Sequence, residues 1–181
     1  MPYVDLATIL DPAVSVVATA AWGDQIRDNF RAVRGPARVR VHRNAVQSIP
    51  DNTDTSVLFD LEDIDTHSIH STSSNTDRLT IPTGWGGDWM VGATVKWAVS
   101  TAGTFRHAEI LINGAIKIVD DDQPATTSGY AAQNLSTLWF PAATDYFTLR
   151  VKQDTGGNLN ITPDGYAGVI FWAYFVGSGA G

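Results

Sequence analysis

From Trp89 the chain alternates without a break. Trp89, Val91, Ala93, Val95, Trp97 and Val99 fall on one side, with Gly92, Thr94 and Lys96 on the other. Side chains of a β-strand point to opposite faces with a period of two, so this run predicts a long, half-buried strand. The pattern recurs downstream. Thr101 to Gly103 turn into Phe105 to Ile112, where Ala108, Ile110 and Ile112 form an inward set. Asn113-Gly114 is a strong hairpin signal, and Ile116 to Val119 is the expected return strand. The stretch Asp120 to Gly129 reads as a loop. Ala131 to Phe140 carries Leu135, Leu138 and Trp139, and Tyr146 to Gln153 sets Phe147, Leu149 and Val151 against Thr148, Arg150 and Lys152. A short Leu159–Ile161 segment and a very aromatic strand from Tyr166 to Val176 close the series.

Upstream, Val39 and Val41 alternate with Arg38, Arg40 and His42, the stretch Ser48 to Thr55 is rich in turn residues, and Val57 to Phe59 and Arg78 to Pro82 read as further strands. About ten short strands with frequent turn signals and no helix between them predict an all-β fold, a jelly-roll β-sandwich. Composition agrees. The 181 residues are 44% hydrophobic and only 17% charged, with six Trp, five Tyr and seven Phe. A net charge of −7 argues against nucleic acid as a partner, because phosphate binding needs a basic field. No cysteine is present, so neither disulfides nor a thiolate metal site can form. No window reaches the roughly 18 apolar residues of a membrane-spanning helix, so membrane insertion is not expected. Ala13 to Ala21 is apolar, but no Lys or Arg precedes it, so a signal peptide is not expected either.

The strands are preceded by an extended arm and one short α-helix. Residues 1–36 form this anchoring unit and residues 37–181 the sandwich. The arm holds Tyr3, Leu6, Ile9 and Leu10, too apolar for a freely solvated tail. In the helix, Thr19 can cap the first turn, and Trp22, Ile26, Phe30 and Val33 form one apolar stripe. Gly35-Pro36 ends it. One stripe fits two arrangements, a helix laid on the end of the sandwich or a three-helix collar joining protomers. Both stay open.

Reaction chemistry is sparse. Asp60, Glu62, Asp63 and Asp65, with His67 and His70 behind them, invite a metal reading. Carboxylates at short spacing suit calcium, but no calcium-loop motif is present and strand alternation would send successive carboxylates to opposite faces. A solvated, partly hydrogen-bonded crossing is the preferred reading, with structural calcium the rival and no other cofactor expected. His42, His67, His70 and His107 accompany many Ser and Asp, yet no nucleophile elbow or paired catalytic carboxylates go with them, so no catalytic residues are assigned. Trp85, in the Gly84-Trp-Gly-Gly-Asp turn, and Trp89 after it are the candidates for stacking on a sugar. The competing reading of Trp85, a ring folded over the sandwich mouth, carries more weight.

Two resemblances add to this. The run from Thr19 to Val33 resembles an N-terminal helix of many phage structural proteins, matching a W-x(4)-R-D-N pattern at Trp22, Arg27, Asp28 and Asn29. Gly23 stands where that helix usually has Asn. The longer stretch Arg38 to Gly177 is similar to C1q/TNF-like domains encoded in phages and prophages of Gram-positive hosts. The matching elements are Phe59-Asp60 with Glu62-Asp63, His70-Ser-Thr-Ser-Ser-Asn-Thr, Arg78-Leu-Thr-Ile-Pro82, Trp89-Met-Val-Gly-Ala, Ile112-Asn-Gly114 and Phe171-Trp-Ala-Tyr-Phe.

The resemblance implies a trimeric jelly-roll head. The final strand is apolar on both faces from Val169 to Val176, so one face fills the sandwich and the other needs a neighbour. Trp97, Tyr146, Phe171 and Tyr174 are the interface candidates. The implied function is a non-enzymatic bacteriophage virion protein made in the host cytoplasm and carried on the particle surface. It would be a minor tail protein, short fibre or capsid decoration, with Tyr3, Leu6, Ile9, Leu10, Trp22, Ile26 and Phe30 anchoring it to other virion proteins. The alternative is a receptor-binding module that attaches to a host-surface glycan.

Overall fold

The computed structural model describes residues 35–126 and 129–177, together with Gly23, Ile26, Arg27 and Phe30, which are helical. Tyr3, Leu6, Ile9, Leu10 and Trp22 lie outside the described residues. Twelve strands follow the helix. They are β1 (Arg38–His42), β2 (Gln47–Ile49), β3 (Thr55–Ser56), β4 (Leu61–Asp65), β5 (Arg78–Thr80) and β6 (Asp88–Lys96), then β7 (Phe105–Ile112), β8 (Ile116–Pro124), β9 (Ala132–Trp139), β10 (Tyr146–Gln153), β11 (Leu159–Ile161) and β12 (Ile170–Gly177). One sheet runs β4-β1-β12-β6-β9. The other runs β3-β10-β7-β8, with β5 also on β10, and β2 pairs with β11. Every named pairing is antiparallel. This is the jelly-roll sandwich expected from the alternation.

The inward faces supply the core. Trp89, Val91, Ala93 and Val95 of β6 and Trp97 just after it are all buried, as are Ala108 and Ile110 of β7 and Phe147, Leu149 and Val151 of β10. Phe59 stacks on Phe171 with ring centroids 5.6 Å apart. Val99, expected on the same face as Trp97, lies past the end of β6 and is exposed. The hairpin signal is realised as a tight turn. Asn113 and Gly114 both take positive φ (53° and 67°), as a type I′ turn requires, and Ala115 N–H donates to Ile112 O at 3.2 Å.

Two expectations are corrected. The run Asp120 to Pro124 is not loop. It continues β8, with Asp120 opposite Glu109 and Asp122 opposite His107 on β7. Asp120 and Asp122, on the outer face of an edge strand, stay in water while their backbone pairs, so a charge run need not break a strand. The turn-rich passage before Val57 contains two short strands, β2 and β3.

One end of the sandwich is closed by buried polar groups. Gln133 is fully buried; its Nε2 donates to Arg106 O and Asp121 O, and its Oε1 accepts from Trp97 Nε1 at 2.8 Å. The Arg106 side chain is also buried, and its guanidinium donates to the carbonyls of Phe105, Ala102 and Ser100. Burial pushes the Arg106 pKa down while Asp154 opposes this. Asp154 accepts from the N–H groups of Thr104 and Phe105 and from the Thr104 hydroxyl. These bonds, led by the Phe105 N–H, hold its carboxyl down at about 2.

At the other end, β1 and β12 bring the two limits of the described domain together, with Arg38 opposite Tyr174.

Candidate assembly interface

The strand β12 places Phe171, Ala173 and Phe175 in the core, so the period of two sends Trp172, Tyr174 and Val176 to the opposite face. The neighbouring strands add to that face in register. Tyr174 lies between Arg38 on β1 and Met90 on β6, and Met90 in turn lies beside Leu138 on β9. One row across the sheet is therefore Arg38, Tyr174, Met90 and Leu138. The apolar members are 42%, 44% and 56% exposed respectively. The next row is Ile64, Arg40, Trp172, Gly92 and Ser136. Ile64 and Val176 are also exposed. No part of the described chain covers this surface.

Gly92 is necessary to its shape. A Cβ at that position would stand 2.4 Å from Cζ2 of Trp172, so the indole can lie against the sheet only over a glycine. The side chains therefore form a low platform with Trp172 at its middle. Its polar end is self-satisfied. Arg40 pairs with Asp63 and donates to Tyr166 O at 2.6 Å, while Lys96 Nζ meets Asp164 at 2.5 Å and sits 4.2 Å from the Tyr130 ring centroid. Thr94 Oγ1 donates to Asn134 Oδ1. An apolar centre with a rim of paired charges has the anatomy of a protein interface rather than of an active site.

The interface candidates separate. Tyr174 belongs to the platform. Trp97 and Phe171 are fully buried inside the sandwich and cannot meet a second chain. The alternation identifies which residues share a face, and the core takes the set carrying Phe171 on β12 and the set of β6 that runs on to Trp97. Tyr146 lies on β10 in the opposite sheet, its ring under Arg78 at 4.2 Å. Met90, Leu138 and Trp172 of the platform were not among the candidates, although the alternation around Trp89 and Leu135 marks Met90 and Leu138 as outward.

The sugar-stacking expectation also fails for Trp89, which is fully buried and donates from Nε1 to Trp85 O. Trp85 is half-buried between His67 and Phe175, at centroid distances of 4.5 and 5.0 Å, both edge to face. It is a lid on the sandwich end. Of the anchoring residues within the described set, Ile26 is half-buried and Phe30 is 63% exposed.

The carboxylates of the Asp60–Asp65 crossing are each engaged separately. Asp60 accepts from the N–H groups of Asn44 and Ala45, and Asp65 from those of His67, Ile69 and His70. Glu62 contacts His70 Nδ1 at 2.9 Å and Asp63 faces Arg40 and His42. They hold the crossing in place and converge on no shared point. Among the described residues, the one group of side chains near enough to share an ion is His107, Asp120 and Asp122, elsewhere on β7 and β8. Asp120 there is bound by Lys117 at 2.6 Å and Asp122 by His107 at 2.7 Å. Among the described residues, the one hydroxyl within hydrogen-bond reach of a histidine ring is Thr66 Oγ1, beside His67.

Solved structures share this fold. Murine APRIL, crystallised at pH 5.0, superposes with a TM-score of 0.58 at 8% identity, covering 77% of this chain and 98% of that one. The globular domain of zebrafish complement 1qA gives 0.54 at 10% identity, covering 77% and 97%. No protein-family model matches the chain, and no curated protein matches it in sequence. The chain has the C1q/TNF-like jelly-roll fold. Identity this low speaks to architecture and leaves the role to the surfaces.

Proposed function

We propose that this chain is a non-enzymatic structural module that assembles as a homotrimer through the β4-β1-β12-β6-β9 face, and that the trimer is a virion surface fixture held by its N-terminal segment. The observation that carries the proposal is the row Tyr174, Met90 and Leu138 beside Trp172, uncovered on one sheet of an otherwise closed sandwich. Contiguous apolar surface of this kind marks a protein contact. A cyclic assembly uses one patch per chain repeatedly, and three copies turned toward one axis would bury all three platforms.

The virion placement is supported by the resemblance of residues 19–33 to phage structural helices. Phe30, exposed in the single chain, is then free to contact its counterparts or another particle protein. The tail and capsid readings both use this arrangement.

Light scattering on the full chain tests the assembly, with an expected mass three times the 19.5 kDa of one chain. A one-chain mass at micromolar concentration would remove the reading. Cryo-electron microscopy of particles carrying the chain tests the placement. Threefold density on the tail or capsid is the expected result, and its absence from purified particles would overturn it.

A further inference from the structure

The opposite sheet has a pocket of its own. It lies on the outward face of β3, β5, β7 and β10, with a volume of about 220 Å³. Its floor is Thr148 and Leu111, directly opposite each other in register and only 4% and 2% exposed, although both point away from the core. Its walls are Arg78, across from Thr148 on β5, Tyr146, and Arg150, across from Ser56 on β3. Gly114 opens one side; a Cβ there would come within 3.4 Å of the Tyr146 hydroxyl.

The pocket is rich in donors and poor in acceptors. Arg150 uses Nε on Glu109 at 2.5 Å, which leaves both terminal nitrogens without an acceptor among the described residues. Arg78 Nε is buried without a hydrogen-bond partner, and its nearest carboxylate oxygen, on Asp77, is 3.8 Å away. The guanidinium is instead held over the Tyr146 ring, which fixes its plane while leaving its donors free. The hydroxyls of Ser56, Tyr146 and Thr148 likewise have no partner among the described residues. Asp77 is the one carboxylate in the lining, against two guanidinium groups. With Glu109 on Arg150, the charges around the pocket balance, in a chain of net charge −7. Two guanidinium forks with unfilled donors suit an oxyanion, and three hydroxyls beside an apolar floor suit a polyhydroxylated ring. The volume admits one ring.

We propose that the Arg78–Arg150 pocket binds a single acidic sugar unit, with the ring against the hydroxyls of Ser56, Tyr146 and Thr148 and the oxyanion between the two guanidinium groups. The oxyanion is a carboxylate or a phosphate carried on the sugar. The site is complete within one chain and faces away from the assembly platform, so it neither requires the trimer nor is covered by it.

Calorimetric titration of the full chain at physiological salt with glucuronic acid, glucose 6-phosphate, glucose and inorganic phosphate tests this. At least one acidic sugar is expected to bind tenfold or more tightly than glucose and than inorganic phosphate. Binding of glucuronic acid alone would assign a carboxylate, and of glucose 6-phosphate alone a phosphate. Arg78→Gln is expected to weaken that binding at least tenfold. Thr148→Val keeps the floor's shape while removing its hydroxyl, and is expected to weaken binding about fivefold with an unchanged melting temperature. Thr148→Val decides the matter should Arg78→Gln fail to fold. Equal binding of glucose or inorganic phosphate, unaltered affinity in the folded variants, or no binding of either acidic sugar would each overturn the proposal. The chain's mass in solution is measured on the same samples, so a failure here is distinct from a failure of the trimer.

Discussion

The two sheets present similar inner faces and opposite outer ones. Inside, both offer alternating aliphatic and aromatic side chains to one core. Outside, the β12-centred sheet shows Tyr174, Met90 and Leu138, whereas the β10-centred sheet shows Arg150 paired with Glu109, Lys152 facing Asp54 and His107 paired with Asp122. The inward sets make the fold and would serve any chain of this architecture. The outward sets differ because their surroundings differ. A face built of paired charges keeps its charges hydrated, while an apolar platform with a paired-charge rim gains by losing water to another chain.

The contrast is broken most directly by exchanging its chemistry. Leu138→Glu puts a charge at the apolar row, and in light scattering it should lower the mass from three chains to one. Lys152→Glu, a charge change on the other face, should leave the mass unaltered. Equal loss of assembly in both variants would erase the distinction between the faces.

A second substitution sharpens the comparison within the platform itself. Gly92→Val forces the Trp172 indole off the sheet, which should cost roughly 1–3 kcal/mol in urea denaturation by overpacking and weaken the trimer as well. Full stability and full assembly would show that the indole's position does not matter.

The smallest expected effect concerns the polar end that both sheets share. The Asp154 pKa is depressed from 3.8 to about 2, so the folded state binds the ionised form better. Its stabilisation is complete above about pH 4 and is lost as pH falls toward 2. Asp154→Asn should therefore be less stable than the parent at neutral pH, with the gap in denaturation midpoint closing across that acid range. A gap that stays constant from pH 7 to pH 2 would show that the carboxylate's charge is not the source.

Much of the fold was legible because strand periodicity is local. The run from Trp89 to Trp97 and the set Phe147, Leu149 and Val151 appear in the core as expected, and Asn113-Gly114 makes its turn. What local pattern cannot say is which of two apolar faces a sandwich swallows. On β12 both are apolar, so Phe171 looked as good an interface residue as Tyr174, and only the pairing with β1 and β6 separates them. The acidic run misled for another reason. Asp120 to Asp122 resembles a loop until β7 is laid beside it. The Arg78–Arg150 pocket was invisible, because its walls come from strands joined only by long-range pairing. No spacing along the chain announces them.

The pairing of Arg38 with Tyr174 has a mechanical consequence. Tension applied between the segment before β1 and the segment after β12 would meet hydrogen bonds lying in the direction of pull, and would open them one after another like a zipper. Tension entering from the N-terminal side and leaving through neighbouring copies would avoid that weak path, because each platform would share the load across its whole width. A chain tethered by its front segment is therefore expected to hold best when its load is carried sideways between protomers and not through its own last strand.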